Sequence, residues 1–125
     1  MNSVLVDSDI LIEVLRQRDP AVVSQWEDLG ASETVVVYSP VSLAEIWHGL
    51  RPPERPAVAA LFSVMTCAPI DAEIGRKAGD YLRSFRRSHG LELADALIAA
   101  TASVHQLQLW TRNRKHYPMK DLRLF

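Results

Sequence analysis

Asp7, Glu45 and Asp95 are the residues whose types and places could do chemistry together. Asp7 ends the apolar run Val4-Leu5-Val6, and Glu45 lies within Ser42-Leu43-Ala44-Glu45-Ile46. Asp95 falls in the alanine-rich stretch from Gly90 to Ala102, where helical spacing gives it Leu91, Glu92, Ile98 and Ala99 as neighbours. A carboxylate on so apolar a helix is half drawn into a core, and an ionised buried carboxylate is costly unless it is paired or bound to metal. If the three acids converge, they repel, and at least one protonates unless a cation joins them. The chain has one cysteine and no pair of histidines at ligand spacing, which disfavours zinc. All-oxygen donors suit Mg²⁺ or Mn²⁺. Such an ion keeps several waters, acidifies one as a nucleophile, and stabilises charge on a phosphodiester.

A second group follows the apolar run Leu107-Gln108-Leu109-Trp110. Thr111 and Asn113 lie just past it, within Thr111-Arg112-Asn113-Arg114-Lys115-His116. Arg112, Arg114 and Lys115 form either a solvated turn or a phosphate-binding patch, since guanidinium groups donate paired hydrogen bonds to phosphate. Arg83, Arg86 and Arg87 offer a further set of positive charges, read first as a solvated helix face. Tyr117 could stack on a base, whereas Trp110 reads as core. The chain has no glycine-rich phosphate loop and no G-x-S-x-G, which disfavours a nucleotide triphosphatase and a serine hydrolase.

Each acid also has a purely structural reading. Asp95 could pair with an arginine of the preceding helix. Asp7 could be a helix cap, although Asp7, Ser8 and Asp9 cannot all be caps of one helix. Ser42 and Glu45 match the S/T-x-x-E capping box. Trp47 and His48 read as packing residues.

The elements that must position these groups alternate. Val4–Val6 reads as a buried strand, followed by a helix over 10–16 capped by Ser8 or Asp9. Asp19-Pro20 starts a helix that ends at Gly30, and Thr34–Tyr38 is a second strand rich in β-branched residues. A helix around Glu45, a proline-rich loop over 51–56 and another helix over 57–64 precede a short strand within 65–70. Asp71 caps a long helix over 72–88, the Asp95 helix follows, and residues 107–110 and 121–125 supply the last strands. This alternation predicts an α/β fold, a parallel sheet covered by helices on both faces. Ligands of such sheets sit at the carboxyl ends of the strands, which is where Asp7, Glu45, Thr111 and Asn113 fall.

Composition sets the remaining bounds. The 125 residues read as one domain, residues 1–125, with 48% hydrophobic and 23% charged side chains. A formal net charge of −1 gives no whole-molecule attraction to nucleic acid, so any such site is a local patch. Cys67, alone, fits a reducing compartment and reads as a small core or strand residue. The N-terminal residues show no basic or long apolar segment, and the expectation is a cytoplasmic protein without membrane contact.

Four stretches then resemble the ordered motifs of the PIN-domain family, and more narrowly the VapC-type toxins of bacterial toxin–antitoxin pairs. They are Val6–Ile12, Ser42–Ile46, Ala94–Ala102 and Leu109–Asn113, and the resemblance runs from Val4 to about Tyr117. It implies a PIN-like three-layer α/β/α domain with a mainly parallel sheet of four to five strands. It implies a Mg²⁺-dependent endoribonuclease, with Mn²⁺ as a substitute, neutralised by a VapB-like antitoxin. Family members commonly form homodimers and reach DNA only through the antitoxin complex. By position, Asp7, Glu45 and Asp95 match the family's acidic metal-site residues, Ser8 its small hydroxyl residue, and Thr111 the hydroxyl of its last motif. Asn113 stands where many relatives carry a fourth acid; it adds an oxygen donor without charge. Asp9 and His116 are nearby candidates to compensate. Arg112, Arg114, Lys115 and His116 are the expected phosphate contacts to RNA. Two other readings stay open: a PIN-like nuclease of RNA or DNA processing without a toxin role, and a catalytically weak binding module in a repressor complex.

Overall fold

The computed structural model describes residues 2–125. The chain runs β1 (Ser3–Val6), α1 (Ser8–Arg16), α2 (Pro20–Gly30), β2 (Val35–Tyr38), α3 (Pro40–Trp47), α4 (Arg55–Ser63), β3 (Thr66–Cys67), α5 (Ala72–His89), α6 (Leu93–Val104), β4 (Gln108–Trp110) and β5 (Arg123–Leu124). The strands form one sheet in the order β3-β2-β1-β4-β5, and every pairing is parallel. The expected α/β/α architecture is thus present, with all five strands parallel. Among the described residues no helix is long and apolar enough to cross a membrane.

Alternation along β1 divides the core. Leu5 points to the face covered by α5 and α6, where it packs with Ile74, Ala78, Leu91, Ala96 and Leu109. Val4 and Val6 point to the other face, against Ile10, Leu11, Val22, Ile46, Phe62 and Trp110 from the α1–α4 side and β4. Leu5 and Leu109 are fully buried, so truncating either to Ala costs about 2–5 kcal/mol. On the first face α6 presents Ala96, Ala99, Ala100 and Ala102, all buried. Their small size lets α6 lie close against α5 and the sheet, which carries Asp95 to the sheet's rim.

Capping explains where the site helices begin, and it differs from the sequence expectation in two places. Asp7, rather than Ser8 or Asp9, is the N-cap of α1, accepting from the Ser8 amide at 2.8 Å. The Ser42–Glu45 capping box does not form. Ser39 caps α3, accepting from the Val41 amide, and Pro40 opens the helix because its fixed φ suits the first turn. Ser42 is therefore one turn inside α3 and fully buried. Asp71 caps α5 as expected, accepting from the Ile74 amide. Gly90 ends α5 at φ +63°, a left-handed position where any other residue costs about 1 kcal/mol. That turn leaves only Leu91 and Glu92 before α6, so the start of α6 is tied to the end of α5.

Candidate functional site

Asp7 follows the central strand and is 6% exposed. Its backbone N–H donates to the carbonyl of Trp110, which extends the β1–β4 ladder and sets the two strand ends side by side. Its carboxylate is held on both oxygens. Oδ1 accepts from the Ser8 amide, and Oδ2 accepts from the Thr111 hydroxyl at 2.9 Å and the Tyr117 hydroxyl at 2.8 Å. Thr111 in turn accepts from the Asn113 amide at 3.0 Å, which folds the loop after β4 over Asp7.

Asp95, in the first turn of α6, faces the same hydroxyl. Tyr117 Oη stands 3.4 Å from Asp95 Oδ1, and His116 Nδ1 stands 3.7 Å from Oδ2. The alternative structural reading, an arginine partner from the preceding helix, is not what forms; Asp95 instead meets Tyr117 and His116 from the loop after β4. Burial and the charge of Asp7 raise the Asp95 pKa above the ordinary carboxylate value, against a lowering by His116. Burial and the carboxylates of Asp7 and Asp95 push the Tyr117 hydroxyl far up, so it stays protonated and donates. Tyr117 is 4% exposed, so it is not a stacking platform for bases.

Glu45 is exposed on α3 and joins the group through Ser8. The Ser8 hydroxyl donates to Glu45 Oε1 at 2.7 Å and stands 2.9 Å from the buried Ser42 hydroxyl. Asp9 sits on the other side. Its Oδ2 accepts from the Arg112 amide at 2.9 Å, while its Oδ1 is buried without a hydrogen-bond partner among the described residues. Burial and the Asp7 charge raise the Asp9 pKa, partly offset by the Arg112 amide.

The basic stretch divides. Arg112 is engaged, with one guanidinium nitrogen 3.0 Å from Glu13 and the other 3.7 Å from Asp19. It therefore clamps the loop after β4 to α1 and the start of α2, which weakens its case as a phosphate contact. Among the described residues Arg114 reaches only the Phe125 carbonyl, at 3.4 Å, and Arg114, Lys115, His116 and Asn113 are all exposed on the short turn beside Asp95.

Among the described residues, no three of the His, Cys, Asp and Glu side chains converge closely enough to hold a metal. What the fold prepares is the Asp7–Asp95 pair, with Glu45 one serine away and Asp9 alongside. The donors still fit a hard divalent cation. They are oxygens, they repel one another, and the unpartnered Asp9 Oδ1 marks unsatisfied negative charge beside the pair. Tyr117 and Ser42 are the members that sequence reasoning did not assign. Ser42 opens one of the motifs and Tyr117 follows the last of them, but only the fold shows where their hydroxyls point.

Residues 4–122 match the PIN domain family. The chain is 42% identical to ribonuclease VapC10 of Mycobacterium tuberculosis, over 93% of this chain and 86% of that protein. It is 34% identical to ribonuclease VapC19 of the same organism, over 92% of each. Its fold superposes on a chain of VapBC2 from Rickettsia felis, solved with a DNA fragment from the promoter, with a TM-score of 0.81 at 21% identity, over 98% of this chain and 97% of that one. The coverage is nearly end to end and includes every segment that builds the rim, and the chain accordingly belongs to the PIN-domain family, among its VapC ribonucleases.

Proposed function

We propose that this chain is a divalent-metal-dependent endoribonuclease, the toxin of a VapBC-type pair acting in the cytoplasm. The observation that carries the reading is the Asp7–Asp95 pair, joined at Tyr117 where the central strands end, beside the exposed Arg114 and Lys115. Asp7 and Asp95 would hold Mg²⁺ or Mn²⁺, with Glu45 contributing from α3 and Asn113 an uncharged oxygen. When bound, the ion supplies an acidified water for attack on a phosphodiester and charge stabilisation for its displacement. Thr111, Tyr117 and the Ser8 amide fix the Asp7 carboxylate; Ser8 also fixes Glu45. Arg114 and Lys115, exposed together on the turn beside Asp95, grip the RNA backbone, with His116 beside them.

The remaining parts of the reading rest on the relatives. A VapB-like antitoxin is the neutralising partner, and an exposed apolar groove between α1, α3 and α4, lined by Ile12, Leu15, Ile46, Leu50 and Val58 with Glu45 at its edge, offers it a surface. A homodimer, and contact with DNA only through the antitoxin, follow from the same likeness. The whole chain acts as one PIN-like unit.

The test is incubation of antitoxin-free protein with total cellular RNA and Mg²⁺ or Mn²⁺, with and without EDTA, beside Asp95→Asn. Discrete fragments that need metal and are absent from the variant are expected. Fragments of equal yield from a folded Asp95→Asn protein would overturn the assignment.

A further inference from the structure

Tyr117 is the side chain that touches both acids of the pair. Its hydroxyl lies 2.8 Å from Asp7 Oδ2 and 3.4 Å from Asp95 Oδ1, and it is 4% exposed, so water does not compete for it. A phenol has one proton. The shorter distance gives that proton to Asp7, and Asp95 shares it at longer range. Thr111 donates to the same Asp7 oxygen but makes no hydrogen bond to Asp95. Tyr117 thus does what Thr111 does not: it ties the carboxylate that ends β1 to the one that begins α6.

We propose that Tyr117 is a positioning residue whose buried hydroxyl sets the spacing of the Asp7 and Asp95 carboxylates and thereby their affinity for a divalent cation. The inference rests on the metal-dependent reading above. Outer hydrogen-bond partners of metal ligands typically contribute about 10–100-fold to metal affinity. A phenylalanine would keep the ring packing and lose only this control.

The experiment is Mn²⁺ binding to the full chain without RNA, by calorimetry and electron paramagnetic resonance, for the wild type, Tyr117→Phe and Thr111→Val. Tyr117→Phe is expected to bind Mn²⁺ about tenfold more weakly or worse, Thr111→Val to lose less, and RNA cleavage by Tyr117→Phe to recover at saturating Mn²⁺. Unchanged or tighter Mn²⁺ binding by Tyr117→Phe overturns the proposal, as does an equal loss in Thr111→Val, which would make Tyr117 a mere tether of Asp7. A wild type that binds no Mn²⁺ overturns the metal-dependent reading itself. If Tyr117→Phe does not fold, ¹³C-tyrosine labelling of the wild type decides: Mg²⁺ must shift the Tyr117 resonances and leave those of Tyr81 in place, and a Tyr117 signal unmoved by Mg²⁺ overturns the proposal.

Discussion

Two acidic groups lie at opposite ends of α6 and behave in opposite ways. At its start, Asp95 and Asp9 face Asp7, and burial together with like charge raises both of their pKa values. Near its end, Asp121 receives Lys77 at 2.8 Å and hydroxyls from Tyr81 and Ser103, each at 2.7 Å. Burial there also opposes ionisation, but the bonds from Lys77, Tyr81 and Ser103 together outweigh it and hold the Asp121 carboxyl well below the usual range. The same residue type is a stabilising clamp where a cation is built in and a source of stress where none is. The stressed group lies on the rim where strand ends meet, and on the reading proposed above its unmet charge is what a cation from outside would neutralise.

The comparison breaks most visibly at Asp95. Asp95→Asn is expected to reduce RNA cleavage by roughly 10³-fold or more, since it removes one of the two charges that would hold the ion. In metal-free buffer the same variant is expected to melt about 3–5 °C above the wild type, because the repulsion is relieved. A lower melting temperature would show that Asp95 is a structural acid like Asp121. Glu45→Gln, on the exposed side, is expected to cost about 10–100-fold in cleavage at limiting metal and to recover as Mg²⁺ rises; a loss that persists at saturation would place Glu45 in the chemical step. Replacing Arg114 and Lys115 with Ala is expected to flatten the salt dependence of RNA binding by about 0.7 in log–log slope for each charge. Arg112→Ala should leave that slope unchanged and lower stability by up to about 1 kcal/mol, since its partly exposed pairs with Glu13 and Asp19 are structural.

The smallest effect tests the clamp. The folded-state pKa of Asp121 lies below its unfolded value, so its contribution is present above the ordinary carboxylate range and is lost as pH falls through that range toward the folded value. Lys77 and Asp121 are each more than a third exposed, so screening limits the effect to about 1 kcal/mol. Asp121→Asn should therefore flatten the acid limb of a stability–pH curve below about pH 4, and an unchanged limb would remove Asp121 from the account.

Much of this was legible in the chain. The apolar run before Asp7, the β-branched second strand and the Asp71 cap each announce their element locally, and parallel topology then puts Asp7 and Thr111 at one rim. The capping box at Ser42 and Glu45 misled because Ser39-Pro40, three residues earlier, is the stronger start signal. Nothing local reveals that Arg112 meets Glu13 and Asp19, or that the Tyr117 hydroxyl turns inward, because both depend on which distant segment lies opposite. The two-residue strands β3 and β5 carry too little pattern to be bounded from sequence.

The bonds that complete the Asp7 carboxylate come from Thr111 and Tyr117, 104 and 110 residues later in the chain. During synthesis Asp7 is made early, and Tyr117 follows it after on the order of ten seconds. Until then the growing chain lacks β4 and the loop that closes over Asp7. On the reading proposed above, a nascent copy that has not yet reached Tyr117 has no assembled cutting centre, so translation is exposed to the toxin only after that residue has been made.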